Sequence, residues 1–316
     1  MQITAIQAVF LYLNFESLSQ YQIDSNARQM TGIIMCDFDI NDMQNIVSFS
    51  GGRSSAVLVD LAVKMMAEHG VNFKFIFMDT SAEHQKTYDF INKIVDHYKI
   101  DLVCLRVEIN PALGQGNTYR VIPLDECKPD YAVFKLMLEK YGTPYIGGQF
   151  CTDRLKTTPY KKYCDEHFGK KNYRTWIGIR ADEPTRLRTK PNTKYLADIC
   201  NYTKQDVLKF WRKMPFDLEI DEHLGNCVLC IQKSACKIAL ACRDEPYHQG
   251  RMLNLIYSEN TRVIDNRRGI SDIMYRGHHS LKSIIKQYSE LSRDEIAHRL
   301  KNNFKNSTAT LETHTK

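Results

Sequence analysis

The sequence predicts an α/β fold: an open, mostly parallel twisted sheet flanked by helices, followed by a helical, cysteine-containing C-terminal part. Three observations carry this. Short β-branched and aromatic runs at 45–49, 73–78 and 101–107 alternate with amphipathic helical stretches at 55–68 and 83–98, the spacing of βαβ units. The 73–78 run, FKFIFM, is almost continuously apolar, as a parallel strand covered on both faces must be. A glycine pair, Gly51-Gly52, stands between the first strand and the first helix.

Further along, 110–129 reads as loop, 130–141 and 157–168 as helices, and 175–179 as a strand. The basic segment 184–191 reads as a mobile loop. Thr203 reads as the N-cap of a helix over 204–213. A cysteine segment follows at 227–242, then helical patterns at 280–288 and 292–300. These divide the chain into an N-terminal extension (1–42), a nucleotide-binding domain (43–245), a helical C-terminal region (246–301) and a polar, disordered tail (302–316). The extension is either a short helical appendage or sequence upstream of a shorter natural start at Met43.

Composition is that of a soluble globular protein: 316 residues, 43% hydrophobic and 25% charged, enough chain to bury its own core. The net charge of +6 favours anionic partners without singling one out. No apolar run is long enough to span a membrane, and the apolar stretch 5–15 lacks the basic flank of a signal peptide. A cytoplasmic location is expected. In that compartment ten cysteines point to metal binding or catalysis rather than disulfides.

Residues 48–56, SFSGGRSSA, have the chemistry of a phosphate-binding loop. Gly51 and Gly52 permit close backbone approach, so that successive N–H groups can converge on one anion. The helix start adds unpaired donors and partial positive charge. Ser48, Ser50, Ser54 and Ser55 offer hydroxyls, and Arg53 a cation. The spacing is not that of a Walker loop. Asp79 and Thr80 end the second strand, at the edge where open α/β sheets bind ligands. Each has a plainer reading too, Asp79 as a turn residue and Thr80 as a helix cap completed by Glu83.

The SFSGGRSSA loop resembles the S-G-G-x-D-S loop of the N-type ATP pyrophosphatases, in their phosphoadenosine phosphosulfate (PAPS) reductase-like branch. FMDTSAEHQKTY (77–88), CTDRLKTTP (151–159) and GIRADE (178–183) resemble three further motifs of that branch, in order. The resemblance covers about residues 45–245 and is nearest to phage- and prophage-type members, which would place the chain in a host cytoplasm. DNA-phosphorothioation sulfurtransferases look similar. The chain departs from the pattern at Ser54, where the family has aspartate, at Ser81 for glycine, and at Gln85-Lys86 for proline–glutamate.

The resemblance implies ATP or PAPS as ligand, with Mg²⁺. Its phosphates would lie on Ser48 to Ser55 and its adenosine beside Asp79 and Thr80. Arg154, Lys156, Gly178 and Arg180 would contact phosphate or sulfate, and Arg53, Asp79, Lys156 and Arg180 would act in catalysis. Cys227, Cys230 and Cys236, spaced C-x2-C-x5-C, supply three thiolates suited to one metal centre. The resemblance makes Cys151 the fourth ligand, with Cys242 as the alternative. Four thiolates fit a [4Fe–4S] cluster or structural Zn²⁺, and the resemblance favours the cluster.

The expected activity is nucleotide α-hydrolysis in sulfur transfer through an adenylated acceptor. One alternative is PAPS reduction, although the E-C-G-x-H motif of those enzymes is absent. Another is a non-catalytic nucleotide- or nucleic-acid-binding module, with basic runs at 186–190 and 262–268.

Overall fold

The structure, a computed structural model, describes residues 43–264 and 272–302. The 1–42 extension, Cys36, the tail beyond 302 and part of the 262–268 basic run lie outside these residues.

Six strands form one sheet in the order β4-β3-β2-β1-β5-β6. They are β1 (Gln44–Phe49), β2 (Phe73–Asp79), β3 (Leu102–Glu108), β4 (Thr118–Ile122), β5 (Tyr173–Ile177) and β6 (Thr193–Tyr195). All neighbours pair in parallel except β3 and β4. The carboxyl ends of β1, β2 and β5 therefore share one edge, and the connections at 50–52, 80–84 and 178–183 gather there. The short edge strand β4 arises within the 110–129 stretch that reads as loop, and β6 just after the basic segment 184–191.

Strand alternation divides the apolar residues between two faces. Val47, Phe49, Phe75 and Phe77 pack against α1 (Arg53–His69) and α2 (Gln85–Tyr98), with Trp176 and Trp211 completing that core. Ile46, Ile76 and Leu105 face the other way, onto Tyr163 and Cys164 of the helix α4 named below. Each such fully buried side chain contributes roughly 1.5–3 kcal/mol.

The helix α3 (Ala132–Tyr141) comes next, then α4 (Thr158–Phe168), α5 (Leu196–Ile199) and α6 (Lys204–Trp211). Thr203 caps α6, and Asp206 returns the bond to the Thr203 N–H. The C-terminal part contains α7 (Ala235–Asp244), α8 (Pro246–Ile256), α9 (Leu281–Gln287) and α10 over 293–302. These helices and α3 enclose a second core that includes Met137, Leu138, Val228, Met252 and Ile284, drawing residues from both sides of position 245. No described helix is long and apolar enough to cross a membrane.

The cap of α2 differs from the sequence expectation. His84 is its N-cap, accepting from the Lys86 N–H. The Thr80 hydroxyl instead donates to the Glu83 carboxylate, because both side chains turn inward, away from the helix start.

Candidate active site

The β1–α1 turn has a built-in geometry. Gly51 adopts φ +73°, a left-handed conformation that costs other residues energy. A methyl group there would also lie 2.7 Å from Thr87 Cγ2. Ser50 and Ser55 close the turn, with their hydroxyls 2.9 Å apart and the Ser50 N–H donating to Ser55 Oγ. The Ser55 hydroxyl in turn donates to the Gly52 carbonyl. Gly52 is the N-cap of α1, with no side-chain cap and no acidic residue in the first turn. The helix therefore presents bare N–H donors and its positive end.

Gly178 follows β5 and lets that strand's end touch the loop. A Cβ there would stand 2.6 Å from both Ser55 N and Ser55 Cα. Arg180 lies over the turn, its guanidinium 3.1 Å from Ser54 Oγ and 2.8 Å from Asp182. A serine where the family has a carboxylate thus leaves Arg180 paired to acids on its own loop. Ser48 belongs to β1, opposite Ile177. Arg53 turns away: its guanidinium forks onto Asp217 at 2.7 and 3.0 Å and reaches the Leu218 carbonyl.

Asp79 is fully buried. It accepts from Arg106, from the Ser81 N–H at 2.9 Å and from the Tyr88 hydroxyl at 2.9 Å. Burial, then the nearby Glu83, push its carboxyl upward, while Arg106 and the Ser81 N–H pull the other way. The arrangement fixes the turn after β2, where Ser81 adopts φ +58°.

Glu83, read from sequence only as part of a cap, is the junction of the site. It is 1% exposed and accepts from the Thr80 and Tyr88 hydroxyls. It also accepts from the Lys156 ammonium at 3.5 Å and the Cys227 thiol at 3.7 Å. Its backbone bridges Cys227 in antiparallel fashion, and the Val228 N–H donates to the Ala82 carbonyl. Burial works against the Lys156 charge, but Glu83 and the nearby thiols outweigh it and raise its pKa.

Lys156 arrives there through a break in helical geometry. Residues Asp153–Thr157 form a π turn leading into α4, with the Thr158 N–H bonded to the Asp153 carbonyl. An i→i+5 turn carries position i+5 back over position i, so Lys156 and Cys151 share a face. Both line a cavity of about 730 Å³ together with Thr80, Cys227 and Cys230. Burial, then Cys230, raises the Cys151 thiol; burial, then Glu83, pushes Cys227 up to about 12. Arg154 points elsewhere, beside the Tyr141 ring and into a smaller cavity of about 330 Å³ shared with Lys140 and Arg262.

Every described cysteine is a free thiol, but the four sequence candidates do not converge. Cys236 lies in the first turn of α7, is buried with Leu240 and Ile296, and donates to the Ile296 carbonyl at 3.2 Å. Cys242 is buried in the second core. The residues gathered on the cavity wall are Cys151, Cys227 and Cys230. A different cluster, Asp221, His223 and Asp244, has ligand atoms within 4.8 Å of one another. Arg293 from α10 bonds both aspartates, so that cluster fastens the last helix.

Residues 44–214, more than half of the chain, match the phosphoadenosine phosphosulfate reductase domain family. The chain belongs to that family. It is 49% identical over 251 residues to the uncharacterized nin region protein ORF290 of Escherichia phage lambda, across 78% of this chain and 86% of that protein. An uncharacterized Methanocaldococcus jannaschii protein is 25% identical over 168 residues, 53% of this chain and 29% of its own length.

Two solved structures overlap the chain. U34-tRNA thiolase NcsA from Methanococcus maripaludis, with its [4Fe-4S] cluster, is 13% identical with a TM-score of 0.39, covering 83% of this chain and 85% of that one. Phosphoadenylyl-sulfate reductase from Candida auris, in phosphate complex, is 11% identical with a TM-score of 0.31, covering 67% and 87%. The family match contains the loop, Asp79, Cys151, Lys156 and Arg180 but ends before Cys227 and Cys230. The cysteine pair is thus carried by the segment that follows the family domain.

Proposed function

We propose that this PAPS reductase family member is a nucleotide-dependent sulfur-transfer enzyme that uses ATP at the 50–55 loop. The observation that carries this reading is Glu83. It ties the strand end at Thr80, on the same sheet edge as the loop, to Lys156 and Cys227 of the thiol-lined cavity. The N–H donors of the α1 start would hold the phosphates, and Arg180 beside Ser54 would meet their charge. Attack by an acceptor oxygen on the α-phosphorus would form a P–O bond and release pyrophosphate. A sulfide-level nucleophile from an external sulfur donor would then attack the activated carbon, forming the C–S bond as the C–O bond to the departing AMP breaks.

The donor set of the cavity, three thiols beside Lys156, suits a [4Fe–4S] cluster better than structural zinc, which takes four protein ligands. Cys151, Cys227 and Cys230 would hold the cluster, and when bound it would supply an iron site for sulfur. Lys156 keeps a positive charge beside these thiols. Magnesium fits less well. Ser54 stands where the family has aspartate, and both Asp79 oxygens are engaged by protein donors. The loop itself therefore offers that ion no free carboxylate among the described residues.

PAPS reduction by a C-terminal cysteine is disfavoured, because Cys242 is 3% exposed within the second core. The test is anaerobic purification followed by iron and sulfide analysis and a pyrophosphate assay with ATP. Iron retained in Cys236→Ser but lost in Cys151→Ser, Cys227→Ser and Cys230→Ser is expected. Absence of iron in the wild type, or no pyrophosphate release with any acceptor, would sink the reading.

A further inference from the structure

The charged residues lining the 730 Å³ cavity are all basic: Lys156, Arg186, Lys233, Lys237 and Arg276, with no aspartate or glutamate among the lining residues. Three of the five are answered by carboxylates outside the lining. Lys156 meets Glu83, Arg186 meets Glu183, and Lys237 meets Glu222. Glu183 also serves Arg180, and Glu222 also serves Lys204.

Lys233 and Arg276 are different. Among the described residues neither has a carboxylate partner. The Lys233 ammonium donates to the carbonyls of His223 and Val228, at 2.7 and 2.8 Å. The Arg276 guanidinium donates to the carbonyls of Ile231 and Gln232, at 3.1 and 3.3 Å. Carbonyl dipoles orient a cation without neutralising it, and both residues are half-buried, so an anion in the cavity can reach them. The backbone segments that carry them are also held in place. The Lys233 N–H donates to the Cys230 carbonyl. Tyr275, next to Arg276, is buried with its hydroxyl on the Leu229 carbonyl. Two fixed cations therefore border the cavity beside the C-x2-C loop.

We propose that Lys233 and Arg276 bind a phosphate group of the acceptor substrate, at a second anion site separate from the 50–55 loop. This rests on the reading that the acceptor enters the thiol-lined cavity. The thiols alone do not account for the arrangement: they lie beside Lys233 in sequence, whereas Arg276 comes from a separate segment and brings a planar fork suited to phosphate oxygens. The phosphate would come either from a phosphodiester strand or from a small phosphate monoester.

The experiment uses the full chain, purified anaerobically, with a labelled single-stranded oligonucleotide and a labelled nucleoside 5′-monophosphate as probes, titrated across salt concentrations. Binding of either probe is expected to weaken about tenfold in Lys233→Gln and Arg276→Gln. For the oligonucleotide, the salt slope should fall by about one in each variant. Lys233→Arg should recover binding, and Arg276→Lys, which keeps the charge but loses the fork, should recover part of it; they stand in if the glutamine variants fail to fold. Binding of the oligonucleotide that phosphate monoester cannot displace would identify a strand; equal displacement would identify a small substrate.

No binding of either probe to the wild type would overturn the proposal. So would glutamine variants that bind like the wild type, or a Lys233→Arg variant that binds no better than Lys233→Gln. ATP binding, measured in parallel with Gly51→Ala as the loop-defective control, separates the two ideas. Charge-dependent probe binding without pyrophosphate release would leave this site standing and remove the sulfur-transfer reading.

Discussion

Gly178→Ala tests the loop without removing any polar group. The added methyl would stand 2.6 Å from Ser55 N and Cα and 2.9 Å from the Ser54 carbonyl carbon, about 0.8 Å short of ordinary contact. The obstructing atoms are backbone at the first turn of α1, so no side chain can swing aside. Either β5 or the start of α1 must move, and both are fixed by the parallel pairing of β1 with β5. Overpacking of this kind costs about 1–3 kcal/mol, which for a domain this size lowers Tm by roughly 2–12 °C. The displaced turn is the one proposed to hold phosphate, so ATP affinity should fall at least tenfold, more than the loss of stability alone explains. Differential scanning fluorimetry and ATP titration calorimetry on the same preparation measure both. A variant with wild-type Tm and wild-type ATP affinity would refute the close-approach argument.

Asp79→Asn strands the Arg106 charge inside the protein and should destabilise by about 3–5 kcal/mol, read from the urea midpoint; a shift below about 1 kcal/mol would show that water reaches the pair. His248 is buried, with its Nδ1 hydrogen-bonded to the Tyr131 hydroxyl, and burial, then His84, push its pKa down to about 4. The unfolded chain takes up that proton first, near pH 6.5. Stability is therefore lost as pH falls from about 6.5 to 4, by up to about 3 kcal/mol; His248→Gln should flatten that part of the stability–pH curve. Glu83→Gln removes the charge that faces Lys156 while keeping hydrogen-bond acceptors for Thr80 and Tyr88. It should cost about 1–3 kcal/mol and abolish pyrophosphate release, and retained release would exclude Glu83 from the working site.

The parts legible in the sequence were those fixed locally. The glycine turn, the apolar β2 and the Thr203 cap each depend on neighbours within a few residues, and all appear where expected. Arg53 could not be read this way, because its partner Asp217 lies 164 residues away. Glu83 was hidden for the opposite reason: a T-x-x-E spacing is also a cap signal, and only packing against Cys227 turns the carboxylate inward. The C-x2-C-x5-C spacing grouped Cys236 with its neighbours, yet Ser234 caps α7 and the following turn of helix aims Cys236 at Ile296. The strands β4 and β6 are short edge strands, five and three residues long, with too little alternation to stand out from loop.

The π turn between Cys151 and Pro159 has a mechanical side. It stores one residue more than an α-helix of the same length, in hydrogen bonds of poorer geometry. Beyond it the helix is clamped to the sheet by Tyr163 and Cys164. Before it, Cys151 faces the cavity. Compliance is thus concentrated in five residues, and a load arriving at the thiol end would be absorbed there before it reached the strands. Amide protons at 153–157 should exchange with solvent faster than those at 160–168, marking a soft joint in an otherwise stiff lever.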